Sequence, residues 1–458
     1  METKNEEFGA ISAREQGLER KLTAGQMSMI AIGGAIGTGL FMGSKFAIGF
    51  AGPSVILSYA IGGLITLLLM GCLAEMTVAH STSGSFGAYA EHYISPLAGF
   101  LVRYAYWSCI VLAVGTEVTA IANYMAFWFP DIHGALWVVL FSGVLIFVNA
   151  MSVKTFGTVE YWFSTIKVSA IIAFIVLGAV VVWGNPDYGS ANYTAHGGFF
   201  PNGMWGMWVA VVISIFSYLS VEMIAVAAGE AEDPESAVKK AFRATIIRLV
   251  VFYLLTLSLV LAIVPWNQPS DDSPFVTVMA TVNIPFAAGI MNFIVLIAAL
   301  SAMNSMLYIT TRMMFSLSCA GHAPKVFSQL SHWGTPLNAL LLSTSGIAIA
   351  TLFSLYFPDT AFTLMMAISM FGALFTWMMI FVTHYFFRRA WDKANKPALS
   401  FRMAGFPVLT LLGAATMLAI LITTYFTDVF KMTLIFGIPF LFLLVVWYLL
   451  VFDKKTAQ

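Results

Sequence analysis

Apolar runs of about twenty residues, separated by short polar connections, recur along almost the whole chain. Each is long enough to cross the hydrocarbon core of a bilayer as a helix. The runs predict about twelve spans, at 26–46, 53–79, 99–128, 135–152, 162–183, 204–230, 245–264, 286–319, 338–356, 361–386, 406–426 and 432–451. Pro53, Pro130, Pro186, Pro201, Pro265, Pro285, Pro336 and Pro407 fall near span ends, where a missing N–H costs least. The expected fold class is an all-α polytopic membrane protein. A membrane β-barrel would show short alternating segments instead.

Positive charges alternate with the spans. Arg14, Arg20 and Lys21 precede the first, and Arg103 and Lys154 lie in the second and fourth connections. Lys239, Lys240, Arg243 and Arg248 follow the sixth, and Lys325 the eighth. Arg388, Arg389, Lys393, Lys396 and Arg402 follow the tenth, and Lys454 and Lys455 close the chain. With twelve spans these all share one side, leaving only Lys45 and Lys431 on the other. The positive-inside rule then puts both termini in the cytoplasm.

Two spans break the pattern. The first contains Gly33, Gly34, Gly37 and Gly39, four glycines in seven positions, and each costs a helix about 1 kcal/mol relative to Ala. The sixth carries Phe216-Ser217-Tyr218-Leu219-Ser220-Val221-Glu222, a polar interruption with an acid near mid-membrane. Five spans separate the two, so a second copy of a five-span unit would be inverted. Paired interruptions at matching positions point to an inverted-repeat transporter with a site at the midplane. The expected organisation is a tail at 1–25, a first repeat at 26–183, a second at 204–386, two further spans at 406–451 and a tail at 452–458.

Composition agrees with the pattern and narrows the chemistry. The chain is 60% hydrophobic and 10% charged, against about 25% charged in soluble proteins. Its 22 basic and 22 acidic residues cancel, which indicates no nucleic-acid partner. Cys72, Cys109 and Cys319 lie in apolar context and predict neither a disulfide framework nor a metal site. The seven histidines lie near span ends or in connections without ligand spacing, and no nucleophilic constellation suggests an enzyme. No cofactor is expected, and no cleavable signal is apparent. Asn192-Tyr193-Thr194 fits a glycosylation sequon, a match that arises readily by chance.

If the first span unwinds at Gly37-Thr38-Gly39, the half-helix that follows offers free N–H groups and a positive dipole end to an anion. The carbonyls ending the preceding half, near Ala35 and Ile36, would attract a cation. One break thus suits the carboxylate and ammonium of an amino acid; close helix packing through small residues is the competing reading. Lys167, five residues into the predicted fifth span, is either a proton-carrying site or a side chain reaching back to the membrane edge. Glu117 and Glu222 are intramembrane acids without an opposite charge in helical reach. Each could touch substrate, respond to protons or hold helices together in protonated form. Ser301, Asn304 and Ser305 share a face of the eighth span, to line a cavity or to bond between helices.

The run Gly33-Gly34-Ala35-Ile36-Gly37-Thr38-Gly39-Leu40-Phe41 resembles the first-helix motif of the amino-acid permease (AAT) family of the amino acid–polyamine–organocation superfamily. Further matches follow in register over nearly the whole chain. They are Gly84-Ser85-Phe86 with Tyr89 and Tyr93, Phe156-Gly157 with Glu160, Trp162 and Lys167, Ala228 to Pro234, Pro265-Trp266-Asn267, and Asn304-Ser305 to Arg312. The resemblance implies a LeuT-type five-plus-five inverted repeat with two extra helices, and amino acid import with protons by alternating access.

Under that resemblance, the amides of Thr38 and Gly39 hold the substrate carboxylate. Carbonyls near Ala35, and of Phe216 and Leu219, hold its ammonium. Ile36, Gly37, Ser217, Ser220, Glu117, Glu222 and Ser301 complete the expected substrate surroundings. Lys167 matches a lysine that replaces a sodium ion in proton-coupled members, and Glu222 an acid implicated in their proton response. Ser220 departs from the glycine common there and adds volume, which favours neutral small-to-medium amino acids. A cationic or γ-aminobutyric acid (GABA) permease, an exchanger and a non-transporting amino acid sensor are the alternatives. The expected partners are an amino acid, protons and membrane lipid, in a bacterial cytoplasmic membrane; no oligomeric state is implied.

Overall fold

A computed structural model describes residues 3–15, 17–33, 36–186, 188–268, 272–282, 285–357 and 360–452. Among these, every extended regular element is a helix. The first part of the chain forms α1 (Thr3–Arg14), α2 (Ala24–Gly33), α3 (Thr38–Phe41), α4 (Gly43–Ala51), α5 (Val55–Ala79), α6 (Ser85–Tyr93), α7 (Pro96–Ala126), α8 (Gly134–Ala150) and α9 (Val153–Gly184). Next come α10 (Gly203–Tyr218), α11 (Met223–Ala227), α12 (Pro234–Ile247), α13 (Thr256–Ile263), α14 (Pro274–Thr281) and α15 (Ala287–Cys319). The chain continues with α16 (Leu337–Ser343), α17 (Ser345–Tyr356), α18 (Ala361–Lys393), α19 (Val408–Tyr425) and α20 (Lys431–Val451).

The fold is an all-α polytopic membrane bundle. Among the described residues nine helical stretches are long and apolar enough to cross a membrane, and Gly134–Ala150 and Val251–Ile263 are shorter apolar helices. One of the nine, Thr38–Ala79, contains the turn at Gly52, whose φ of 58° suits glycine. Leu136, Val139, Val176, Leu341 and Phe442 are exposed on outward faces, as expected where the surrounding solvent is hydrocarbon. Lys454 and Lys455, used above for orientation, lie outside the described residues.

Two boundaries differ in ways that matter. The fifth span was expected from 162, but α9 begins at Val153, with the Ser152 hydroxyl accepting from Thr155 N at 3.3 Å as an N-cap. The polar residues Lys154, Thr155 and Glu160 hide this start from a hydropathy reading. Lys167 is therefore not five residues from the helix start but fourteen (167 less 153), roughly 20 Å at 1.5 Å per residue. The seventh helix likewise begins at Pro234, not 245, and a π-helical stretch over Arg248–Leu255 joins α12 to α13.

At the core α7 packs against both α15 and α18, α2 lies along α9, and α10 lies along α3, α4 and α5. Buried ion pairs secure one face of the bundle. Glu75 of α5 accepts from Arg388 Nη1 at 2.5 and 2.7 Å and from Met403 N at 2.8 Å, with His384 Nε2 at 3.0 Å. Part of the segment assigned to a terminal tail is folded onto the same face. Glu15 accepts from the Thr82 and Ser316 hydroxyls and from Gly84 N, while Phe8 stacks on His80 at 3.9 Å.

Candidate functional site at two facing helix breaks

Both expected interruptions are real breaks, and they face each other. The first separates α2 from α3. The second, at 219–222, separates α10 from α11, with Ser220 held at φ 69°. Ser217 Oγ donates to Gly39 O at 2.6 Å and lies 2.9 Å from Tyr59 Oη, while Tyr253 Oη donates to Ser217 O at 2.8 Å. Gly39 permits this approach: a Cβ there would lie 2.6 Å from Ser217 Cα and 3.2 Å from Phe216 O.

The carbonyl end of the first break is occupied by a cation from within the protein. Lys167 Nζ donates to Gly33 O at 2.5 Å, to Ile36 O at 3.1 Å and to Ser301 Oγ at 2.7 Å. Ser301 Oγ in turn donates to Glu160 Oε1 at 2.5 Å, whose second oxygen accepts from Asn304 Nδ2 at 3.1 Å. Asn149 Nδ2 donates to Asn304 Oδ1 at 2.8 Å. Lys167 and Glu160 are both fully buried, 3.9 Å apart. Fourteen residues of helix and complete burial leave no room for a side chain reaching back to the membrane edge. Ala35 lies outside the described residues.

The amide end of the break holds a carboxyl group, again from within. Thr38 N donates to Glu117 Oε2 at 3.4 Å, and Thr38 Oγ1 to Glu117 Oε1 at 2.9 Å. Gly37, Gly39, Glu117, Phe216, Ser217, Leu219 and Ser220 line a cavity between the breaks, with Ala302 and Met306. Its volume is about 10 Å³, room for one water molecule. Ser220 Oγ is buried there without a hydrogen-bond partner.

Four expected residues, Ile36, Thr38, Glu222 and Ser301, are not part of this cavity wall. Glu222 closes the second break, accepting from Tyr106 Oη at 2.6 Å and Trp377 Nε1 at 3.2 Å. Ser301 belongs to the Lys167–Glu160 network instead of the cavity. Glu160, named above only within the family resemblance, is brought into the Lys167 network by the structure. Its signal was the i, i+4 spacing to Ser164 on the true start of α9, where Ser164 Oγ donates to Glu160 Oε1 at 3.3 Å.

Access differs on the two sides. On the face bearing Lys45, a cavity of about 860 Å³ reaches down to Met42, between α3 and α4, and to Val118, beside Glu117. Toward the opposite face Glu230, Arg312 and Tyr308 form a buried cluster. Arg312 Nε and Nη2 donate to the two Glu230 oxygens at 2.8 and 3.0 Å, and Tyr308 Oη donates to Glu230 Oε1 at 2.6 Å. Leu22 N bonds Glu230 O at 3.0 Å. Arg312 is thus buried and paired. No group of three or more His, Cys, Asp or Glu with metal-holding geometry occurs among the described residues.

Comparisons with known proteins agree over the full length. The family model described as amino acid permease matches residues 26–458. The GABA permease of Bacillus subtilis is 38% identical over 453 residues, covering 98% of this chain and 97% of that protein. The amino-acid permease RocC of Bacillus subtilis is 36% identical, covering 96% of both chains. The aromatic amino acid transport protein AroP of Escherichia coli is also 36% identical, covering 93% of this chain and 96% of its own. Among solved structures, the Eremococcus coleocola manganese transporter superposes with a TM-score of 0.56 over 93% of this chain and 94% of that one, at 14% identity. That similarity speaks for the fold alone.

Proposed function

The chain belongs to the amino acid permease family, and on that premise we propose that it imports a neutral, small-to-medium amino acid with a proton by alternating access. The observation that carries the proton part is Lys167, whose ammonium bonds the carbonyls ending α2. A charge held there makes a sodium ion at the same carbonyls unfavourable, because like charges repel strongly where solvent is excluded. Loss of that proton leaves two N–H donors for the three acceptors Gly33 O, Ile36 O and Ser301 Oγ, and loosens the half-helix from α9. Glu160 and Ser301 form the path by which the proton leaves, and Glu222 responds at the second break.

Substrate is read by backbone. Its carboxylate takes the amides at Thr38 and Gly39, and its ammonium takes the Ile36, Phe216 and Leu219 carbonyls. The vestibule on the Lys45 face is the entrance, and the Glu230–Arg312 pair is the closed exit. The repeats at 26–183 and 204–386 rock about the two breaks, with both termini in the cytoplasm. The decisive experiment is uptake by proteoliposomes under an inward proton gradient, with the twenty L-amino acids and GABA as competitors. Stimulation by the gradient and competition by small neutral side chains are expected; absence of any gradient-dependent uptake rejects the transport reading.

Selectivity is assigned to Ser220. It holds a left-handed conformation that costs a residue with a Cβ about 1–2 kcal/mol, and it lines the cavity. Ser220→Gly is expected to stabilise the protein by about 1 kcal/mol and to admit bulkier side chains such as phenylalanine. A thermal midpoint and the same competition panel measure both. An unchanged ranking of competitors places selectivity elsewhere.

A further inference from the structure

We infer that the carboxylate of Glu117 stands in for the substrate carboxylate at the first helix break, and that Glu117 must take up a proton before substrate can bind. The inference rests on the amino acid reading above.

The carboxyl group at the first break comes from α7, 79 residues away, so it is no local cap. Its two oxygens take the amide and the hydroxyl of one residue, Thr38, in the manner expected of a bound carboxylate. The fit depends on a missing side chain, because a Cβ on Gly37 would lie 3.0 Å from Glu117 Oε1. The cavity beside it holds no more than a water molecule. An incoming carboxylate must therefore displace the Glu117 carboxylate from the same donors.

Two ionised carboxylates at one small, buried site repel each other. One proton added to Glu117 from the entrance side removes the repulsion and turns the side chain from an acceptor into a donor. Thr38 is released, and the substrate carboxylate takes its place. When substrate departs to the other side, Glu117 loses that proton there and returns to Thr38. One proton thus accompanies each substrate.

The surroundings leave few competing titrations. Lys167 from α9 acts on Glu117 electrostatically, as does Tyr124 on its own helix. At this level α15 presents Ala302 and Met306, α17 presents Gly346 and Ala350, and α18 presents Met365. On α10 and the break that follows it, the groups at the cavity are Phe216, Ser217, Leu219 and Ser220, while Glu222 is turned to Tyr106 and Trp377.

The opposite assignment, Glu117 pairing with the substrate ammonium, predicts the opposite sign. The test uses the full chain in nanodiscs, with thermal protection by an equimolar mixture of the twenty L-amino acids and GABA titrated from pH 5 to 8.5. In the wild type the half-saturating concentration should rise toward tenfold per pH unit once Glu117 ionises. In Glu117→Gln it should stay flat and fall at least tenfold below the wild-type value at pH 8.5. A wild-type slope retained in Glu117→Gln overturns the inference, and so does a loss of affinity at every pH. A second reading needs no variant: in weak buffer at the upper pH values, binding to the wild type should take up close to one proton per site, and zero uptake overturns the inference. If the mixture protects neither protein at any pH, the amino acid reading itself has failed.

Discussion

Lys167→Ala is expected to reduce proton-driven uptake at least a hundredfold. The ammonium donates to Gly33 O, Ile36 O and Ser301 Oγ. Hydrogen bonds from a charged group contribute about 1.5–3 kcal/mol each, so losing the pair to α2 alone accounts for a hundredfold. Truncation has a second cost. It leaves Glu160 fully buried without the cation 3.9 Å away, and breaking a buried pair on one side costs about 3–5 kcal/mol. A single variant that unfolds would therefore say little about transport. The double variant Lys167→Met with Glu160→Gln removes the stranded acid while keeping the volume of both side chains. It should fold and exchange amino acid across the membrane, and fail to accumulate it under a proton gradient. Accumulation by the double variant with a wild-type pH profile would remove Lys167 from the coupling step.

The two helix breaks were legible because their causes are local. Glycines at 33, 34, 37 and 39 cannot sustain a helix, and a serine- and glutamate-bearing interruption stands out in an apolar run. What fills the breaks was not legible. Lys167 reaches Gly33 across 134 residues and Glu117 reaches Thr38 across 79, and no periodicity within one helix encodes such pairings. Each intramembrane charge announced itself as costly, but its partner is set by how α2, α7, α9 and α15 pack. The position of Lys167 was misjudged for a different reason. The first turns of α9 carry Lys154, Thr155 and Glu160, so hydropathy placed the helix start nine residues late (162 less 153), and Glu160 entered only through the family resemblance. The same limit hid the Glu15 and Glu75 clusters, whose members come from segments 67 to 328 residues apart. Polar residues near helix ends look like solvated boundaries until the tertiary fold shows them buried.

Gly39→Ala is expected to abolish binding of every substrate alike, a stricter requirement than the glycine pattern by itself suggests. A bulky replacement such as leucine would obstruct any narrow site. The geometry excludes even a methyl group, because the added Cβ would meet Ser217 Cα at 2.6 Å, Ser217 N at 3.1 Å and Phe216 O at 3.2 Å. These are backbone atoms of the other broken helix, and no side-chain rotation relieves them. To accept the methyl, α3 must move from α10, which breaks the Ser217 Oγ bond to Gly39 O and parts the amides at Thr38 and Gly39 from the carbonyls of Phe216 and Leu219. Carboxylate and ammonium of an amino acid are a fixed distance apart, so a shift that spoils their joint recognition spoils it for all side chains. Gly49→Ala on α4 is the matched control. A Cβ there meets nothing within 4 Å, and uptake should be unchanged. A wild-type midpoint and uptake for Gly49→Ala, with a folded Gly39→Ala that has lost binding across the whole amino acid panel, fit a backbone site at the breaks. Loss confined to one class of side chain would mean that Gly39 borders the side-chain pocket and that the common carboxylate is read elsewhere.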